Sequence, residues 1–377
     1  MSTGVAVLGS TGSIGRAALR VLARHSDRFR VVALTANVSA ELLEGQARET
    51  AATFVGLVQG TATRGQGAAP HAGPECLVAA ATHPDVQIVI NAMVGAAGLP
   101  ATLAALAAGK RVALANKETL VMAGELVLCA ARDGHGEIVP IDSEHSAALQ
   151  CLASAGGRPL KRLILTASGG PFRGWGAERV AAATREEALN HPTWRMGRKI
   201  SIDSATLVNK ALEVIEAHFL FGLPFDGIEV VVHPQSVVHA LTEFADGSVL
   251  AQLGVPSMEL PILYALTYPE RAPDVGVERF APVTASPLIF ETLPPGVFPA
   301  FEAGVAAGRR GGTAPAAFNA ANEVAVQAFL EGRIPFGAIA ETIVAVLERH
   351  DAQPATDLAA VLAADAWARR EAEARCC

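Results

Sequence analysis

Paired cysteines are missing from this chain. Its five cysteines, Cys76, Cys129, Cys151, Cys376 and Cys377, are odd in number and show no CxxC spacing, which argues against a disulfide framework and against a thiolate zinc site. Reduced thiols are expected. A basic excess is missing too: with 30 Lys+Arg against 37 Asp+Glu the formal charge is -7, so no global field favours nucleic acid and any anion site must be local. No uninterrupted apolar run reaches the ~18 residues of a membrane span. Strand-like residues begin at Gly4-Val5-Ala6-Val7-Leu8, too early for a signal peptide's basic region, apolar core and cleavage site, and the cytoplasm is the expected compartment. What is present is apolar bulk: 51% hydrophobic residues over 377 positions suffice for two or three domains with real cores.

The first chemistry-bearing stretch is a strand, then Gly9-Ser10-Thr11-Gly12-Ser13-Ile14-Gly15, then a helix carrying Ala17, Ala18, Leu19, Val21 and Leu22. Glycines there let the backbone pass close to a pyrophosphate, and the free N–H groups of the helix end favour negative charge. A second strand, Arg30 to Leu34, leads to Thr35-Ala36-Asn37-Val38-Ser39. An acid at this point would hold the ribose hydroxyls of NAD and repel a 2′-phosphate; none is present, and Asn37 and Ser39 as donors tilt the choice toward NADP. Strands at Phe54 to Val58, Val86 to Asn91, Val112 to Ala115 and Glu137 to Pro140 alternate with alanine-rich helices, which predicts a parallel, doubly wound sheet. Two loops at the carboxyl ends of these strands carry charge: Asn116-Lys117-Glu118 and Asp142-Ser143-Glu144-His145. Asp142 and Glu144 could ligate a hard divalent cation or form an ordinary acidic surface turn.

After residue 145 the alternation stops. Lys161 to Ala167 is a strand leading into the small-residue turn Ser168 to Arg173. The richest stretch follows, His191 to Glu216, a loop feeding a helix for which Asp203 is the expected N-cap. Counting from Ser204, Leu207, Val208, Ala211, Leu212, Val214 and Ile215 fall on one arc, and Thr206, Asn209, Lys210, Glu213 and Glu216 on the other. The polar arc is either a solvated surface or a site. The loop before it crowds His191, Trp194, Met196, Arg198 and Lys199 around Gly197, the pattern of a lid closing over an anion. Strands at Ile228 to Val232, Val237 to Phe244 and Val249 to Leu253, the last two joined through Ala245-Asp246-Gly247-Ser248, predict an antiparallel hairpin and a dimer surface. A proline-rich passage from Pro269 to Pro299 leads to four helices: Ala300 to Ala307, Ala317 to Leu330, Phe336 to Glu348 and Asp357 to Ala374. The motif Asn319-Ala320-Ala321-Asn322-Glu323 opens the second; capping explains it as well as catalysis does, and no role is assigned to it.

Eight stretches taken together resemble the 1-deoxy-D-xylulose 5-phosphate reductoisomerase family: GSTGSIG at 9–15, NKETLV at 116–121, DSEHSA at 142–147, SGGPFR at 168–173, HPTWRMGRKISIDSAT at 191–206, NKALEVIEA at 209–217, HPQSVVHA at 233–240 and DGSVLAQLG at 246–254. The likeness covers nearly the whole chain. It implies a Rossmann-like N-terminal domain over 1–142 that binds NADPH, a central α+β catalytic and dimerisation domain with a mainly antiparallel sheet over 143–268, a linker over 269–299, and a C-terminal helical bundle over 300–377. The implied activity is rearrangement of 1-deoxy-D-xylulose 5-phosphate and reduction to 2-C-methyl-D-erythritol 4-phosphate in the non-mevalonate isoprenoid pathway, by a homodimer.

The same resemblance assigns residues. Thr11, Gly12, Ser13 and Ile14 match the NADPH pyrophosphate turn; Asn116, Glu118 and Gly197 match further cofactor contacts, and Ala36 and Asn37 stand where many members have a glycine and a basic residue. Asp142, Glu144 and Glu213 match the ligands of Mg²⁺ or Mn²⁺. Lys117, Ser143, Ser168, His191, Ser204, Asn209 and Lys210 match substrate contacts, the phosphate being held by the serines, Asn209 and Lys210. Trp194 and Met196 match a flap, and Lys117, Glu144, His191 and Glu213 are the residues expected at the reacting end. Two other readings fit parts of the pattern: a metal-independent NAD(P) dehydrogenase of another carbonyl substrate, and a non-catalytic dinucleotide sensor. Neither requires three carboxylates alongside a phosphate-binding set.

Overall fold

The computed structural model describes residues 2–60, 71–194 and 196–377, which fold into two compact units. The first comprises Met1–Thr119, Val127–Ser146 and Ser257–Glu278; the second comprises Leu120–Leu126, Ala147–Pro256 and Arg279–Cys377.

Seven strands build the first unit: β1 (Thr3–Leu8), β2 (Phe29–Ala36), β3 (Phe54–Leu57), β4 (His71–Ala72), β5 (Ile88–Asn91), β6 (Arg111–Leu114) and β7 (Glu137–Pro140). They run parallel in the order β4-β3-β2-β1-β5-β6-β7. Val5, Ala6, Val7 and Leu8 of β1 are fully buried, because a central parallel strand is covered on both faces and therefore reads as a continuous apolar run. The winding reverses between β1 and β5, and the crevice beyond the carboxyl ends of such strands is where ligands enter this kind of sheet. The short β4 has no counterpart in the sequence reading. The returning helix Glu259–Thr267 and the loop after it are tied to the Ser13–Arg24 helix: Arg20 and Arg24 donate to Glu259 at 2.8 and 2.6 Å, and Arg24 donates to both oxygens of Asp274 at 2.8 and 2.9 Å. The Arg24 guanidinium, with the Gly276 N–H and His25, outweighs burial and holds the Asp274 carboxyl at about 2.

The second unit contains a mixed sheet, β8 (Leu160–Ala167), β9 (Ile228–Val232), β10 (Val238–Phe244), β11 (Val249–Leu253) and β12 (Glu291–Thr292), in the order β11-β10-β8-β9-β12. Only β8 and β9 pair parallel; the other neighbours are antiparallel, as expected of this region. The β10–β11 hairpin turns through Gly247 at φ 83°, with Phe244 N–H donating to Ser248 O at 2.9 Å. The four C-terminal helices are Pro299–Arg310, Ala314–Leu330, Gly337–Arg349 and Leu358–Glu373. They share one apolar core with the helices Arg198–Ala205 and Val208–Phe221, through residues such as Ile202, Leu212, Ile215, Phe318, Val346 and Ala368. Ala314–Leu330 is its axis, buried everywhere except at Glu323 and Gln327, as a helix apolar on all sides must be. The proline-rich passage is divided: up to Glu278 it belongs to the first unit, and from Arg279 onward to the second, where β12 pairs with β9. Among the described residues no helix is long and apolar enough to cross a membrane.

Candidate functional site

In the first unit the glycine turn after β1 is shaped by close approach. Gly9 has φ 79°, and the Gly9 and Ser10 N–H groups donate to Thr35 O at 3.0 and 2.9 Å, which joins the turn to the end of β2. Gln46 clamps Ser10 from both sides, donating to its carbonyl at 3.0 Å and accepting from its hydroxyl at 2.7 Å. A Cβ on Gly15 would lie 2.3 Å from Gly9 O and 2.5 Å from Ser10 Cα, so only glycine lets the helix start this close to the turn. The Ser13–Arg24 helix has no side-chain cap and no acid in its first turn. Its end is therefore open to an anion. Gly12 and Ser13 are exposed, Thr11 and Ile14 partly so, and Asn37, Val38 and Ser39 stand exposed past the buried Ala36.

The two charged loops emerge from neighbouring strands, since β6 and β7 pair with Leu114 opposite Pro140. The Asn116 amide donates to Met93 O at 3.2 Å, Gly95 O at 3.0 Å and Glu118 at 2.8 Å. Its side chain thus braces the loop after β5. Lys117, buried, forms an ion pair with Asp142. Asp142 also accepts from the Glu144 N–H at 3.3 Å and has His145 Nδ1 at 3.2 Å, while the Ser143 hydroxyl donates to Glu144. The acidic turn is therefore not a solvated surface: Asp142 and Ser143 are buried and Glu144 half-buried, with oxygen donors of the kind a hard cation takes.

In the second unit, β8 delivers Ser168-Gly169-Gly170, with both glycines at positive φ, 84° and 63°. A Cβ on Gly170 would lie 2.8 Å from Ser204 O, so the absent side chain is what lets the Ser168 turn pack on the Arg198–Ala205 helix. Ser168 Oγ is 3.0 Å from His191 Nε2. His191 Nδ1 accepts from the Thr193 and Trp194 N–H groups at 3.1 and 2.9 Å, so the neutral ring carries its proton on Nε2, aimed at Ser168. Burial pushes the His191 pKa down from its ordinary value, which keeps that neutral form. Trp194 and Met196 are half-buried, and Gly197 is exposed at the N-cap of Arg198–Ala205 with extended backbone. Lys210 is buried, donating to Thr166 O at 2.6 Å and pairing with Glu213, which also accepts from Asn209.

One expectation is corrected here and two open readings are narrowed. Asp203 is not an N-cap: the helix begins at Arg198, and Asp203 lies inside it, 2.8 Å from Lys199 Nζ and from Asn322 Nδ2. A second helix, Val208–Phe221, starts after Leu207, which adopts φ 56°. That left-handed conformation is strained for a branched apolar residue and is held by packing in the core. Of the two readings of the polar arc, the solvated surface does not hold. Thr206, Lys210, Glu213 and Glu216 are all buried, and Asn209 is half-buried. A buried ammonium and carboxylate persist there because they pair. Asn319 and Asn322 likewise lie well inside Ala314–Leu330, whose N-cap is Thr313, so capping does not explain them. Thr166, whose carbonyl holds Lys210, carried no signal in the sequence because a backbone acceptor is available at any residue.

Comparison with known proteins follows the same residues. A family model described as 1-deoxy-D-xylulose 5-phosphate reductoisomerase matches residues 5–124, one described as its C-terminal domain matches 138–221, and a further DXP reductoisomerase C-terminal domain matches 253–371. The 1-deoxy-D-xylulose 5-phosphate reductoisomerase of Symbiobacterium thermophilum is 50% identical over 380 residues, covering 98% of this chain and 97% of the relative. That of Moorella thermoacetica is 51% identical over 381 residues, covering 99% and 98%. Among solved structures, the reductoisomerase of Zymomonas mobilis in complex with NADPH superposes with a TM-score of 0.91 at 40% identity, covering 100% of this chain and 99% of the other. A DOX-P reductoisomerase in complex with NADPH, fosmidomycin and magnesium gives 0.90 at 40% identity, covering 99% and 98%.

Proposed function

Because the chain belongs to the 1-deoxy-D-xylulose 5-phosphate reductoisomerase family, we propose the following division of labour among its residues. The activity is the NADPH- and divalent-metal-dependent conversion of 1-deoxy-D-xylulose 5-phosphate to 2-C-methyl-D-erythritol 4-phosphate. Residues 1–142 bind the dinucleotide, 143–268 hold substrate and the second copy, 269–299 connect, and 300–377 support the substrate helices. Thr11, Gly12, Ser13 and Ile14 receive the pyrophosphate; Ala36 and Asn37 border the adenosine ribose. Asn116 and Glu118 shape the loops beside the nicotinamide, and Gly197 reaches the cofactor from the lid.

Asp142, Glu144 and Glu213 supply the oxygens of one divalent cation. The fit rests on their chemistry: all three are carboxylates, and two of them, Asp142 and Glu213, already answer a positive charge, from Lys117 and Lys210. When bound, Mg²⁺ or Mn²⁺ withdraws electron density from adjacent oxygens of the hydroxyketone, and NADPH supplies the hydride. Lys117 and Ser143 orient the reacting end. Ser168, Ser204, Asn209 and Lys210 hold the phosphate as a remote anchor, which fixes the rest of the substrate. His191 carries one proton, on Nε2, which points at Ser168 in the free chain and is the donor it would offer to a substrate oxygen. Trp194 and Met196 close over the site and exclude water.

The observation that carries this reading lies in the second unit, where Gly170 packs on Ser204 O, His191 meets Ser168, and Lys210 is buried beside Glu213. Small donors and an ammonium suited to phosphate lie next to a carboxylate suited to a cation. The test follows NADPH oxidation with 1-deoxy-D-xylulose 5-phosphate after metal stripping and after return of Mg²⁺ or Mn²⁺. Turnover is expected only with metal; turnover that survives rigorous stripping refutes the carboxylate assignment. We also propose self-association along β11, an edge strand with Val249 48% exposed, to be checked by sedimentation. The proposed compartment is the cytoplasm, which suits five free cysteines.

A further inference from the structure

The Asn-Ala-Ala-Asn-Glu motif at 319–323 has no part in the chemistry above, yet Asn322 sits fully buried in the axis of the C-terminal core. Its Nδ2 donates to Asp203 Oδ1 at 2.8 Å, and its Oδ1 has no hydrogen-bond partner among the described residues. A carboxylate can only accept, so Asp203 dictates which way the amide faces. The other Asp203 oxygen takes Lys199 Nζ at 2.8 Å, with the Asp203 side chain only 2% exposed and that of Lys199 21%. Lys199 and Asp203 are one turn apart on the same side of the Arg198–Ala205 helix. The Asn322–Asp203 bond therefore ties this helix to Ala314–Leu330 and restrains its rotation about its own axis, while Lys199 holds the Asp203 carboxylate in place from within the helix. Ser204 is the next residue along, and its carbonyl is the surface on which Gly170 and the Ser168 turn pack.

We propose that Asn322 is a positioning residue for the substrate phosphate: through Asp203 it sets the direction of Ser204 and the seat of the Ser168 turn, without touching substrate itself. The inference rests on the phosphate assignment above. A buried donor with an orphaned acceptor has one task here, and an apolar residue of similar shape would pack as well while leaving Asp203 held by Lys199 alone.

The experiment measures affinity for 1-deoxy-D-xylulose 5-phosphate by calorimetry on the full chain, separately from turnover, for wild type, Asn322→Leu, Ser204→Ala and the double variant. Asn322→Leu is expected to weaken binding about tenfold, the equivalent of one misdirected contact, with NADPH affinity within about twofold. On the Ser204→Ala background the same change is expected to add less than about twofold, because coupled residues are not additive. Full additivity, or unchanged affinity with only a lowered melting temperature, overturns the proposal. Should Asn322→Leu not fold, Asn322→Ser serves: its hydroxyl is too short to hold Asp203 where the amide does, so substrate affinity must fall while NADPH affinity holds, and wild-type substrate affinity overturns the proposal. Wild type that binds the sugar phosphate without turning it over counts against the reaction assignment and leaves the Asn322 comparison readable.

Discussion

Gly15→Ala isolates the link between glycine geometry and cofactor binding. The added Cβ lies 2.3 Å from Gly9 O, 2.5 Å from Ser10 Cα and 2.7 Å from Ser10 C, all of them backbone atoms with no rotamer to swing away. The turn must move instead, and it is pinned on its far side by Thr35 O and by Gln46. Inserting a methyl group into a packed site costs about 1–3 kcal/mol. If that cost is met by displacing the open helix end, NADPH affinity falls roughly 5- to 150-fold. Gly12→Ala is the control, because its Cβ meets only Gly9 O at 3.3 Å and its φ of -72° suits any residue; the apo melting temperature should not change. Fluorescence titration of NADPH and apo melting curves on both variants provide the comparison. Gly15→Ala with wild-type NADPH affinity and stability would show that the turn yields freely and that the close approach has no bearing on the cofactor.

Glu213→Gln removes a carboxylate charge while leaving an acceptor for Asn209 and Lys210; turnover is expected to fall at least about 100-fold with NADPH affinity intact, and equal loss of cofactor binding would show the assignment is wrong. Trp194→Ala should raise the Michaelis constant for the sugar phosphate with the fold unchanged, and an unaltered constant removes the lid argument. Asp274→Asn tests the Arg24 tie. Its carboxyl is lowered from 3.8 to about 2 in the folded chain, so it contributes stability above pH 4 that is lost as pH falls through 2, on the order of 2 kcal/mol. The stability gap between wild type and variant should be full at pH 6 and narrow from pH 4 downward; a gap independent of pH rejects the electrostatic account.

How much could be read in advance depended on whether a residue's partner is local. The strands of the first unit were legible because Val5 to Leu8 and Ile88 to Ile90 are apolar runs bounded by turns, and a strand covered on both faces has no other pattern. The hairpin at Gly247 was legible for the same reason, its turn residues sitting in sequence beside the strands they join. The break at Leu207 was not. A left-handed residue between two helices is usually glycine, and here an apolar side chain is forced into that conformation by the core around it, so the helical period simply ran on through the sequence. The burial of Lys210 and Glu213 was hidden by the same fact that makes it possible: a lysine and a glutamate three positions apart look solvated, and only Thr166, 44 positions away, shows that the ammonium is enclosed. Asn322 and Asp203, 119 positions apart, are a further case. Local rules fail where distant groups override them, and here those failures fall on the helices that carry Ser204, Asn209, Lys210 and Glu213, as expected if local preference has been given up there for a site.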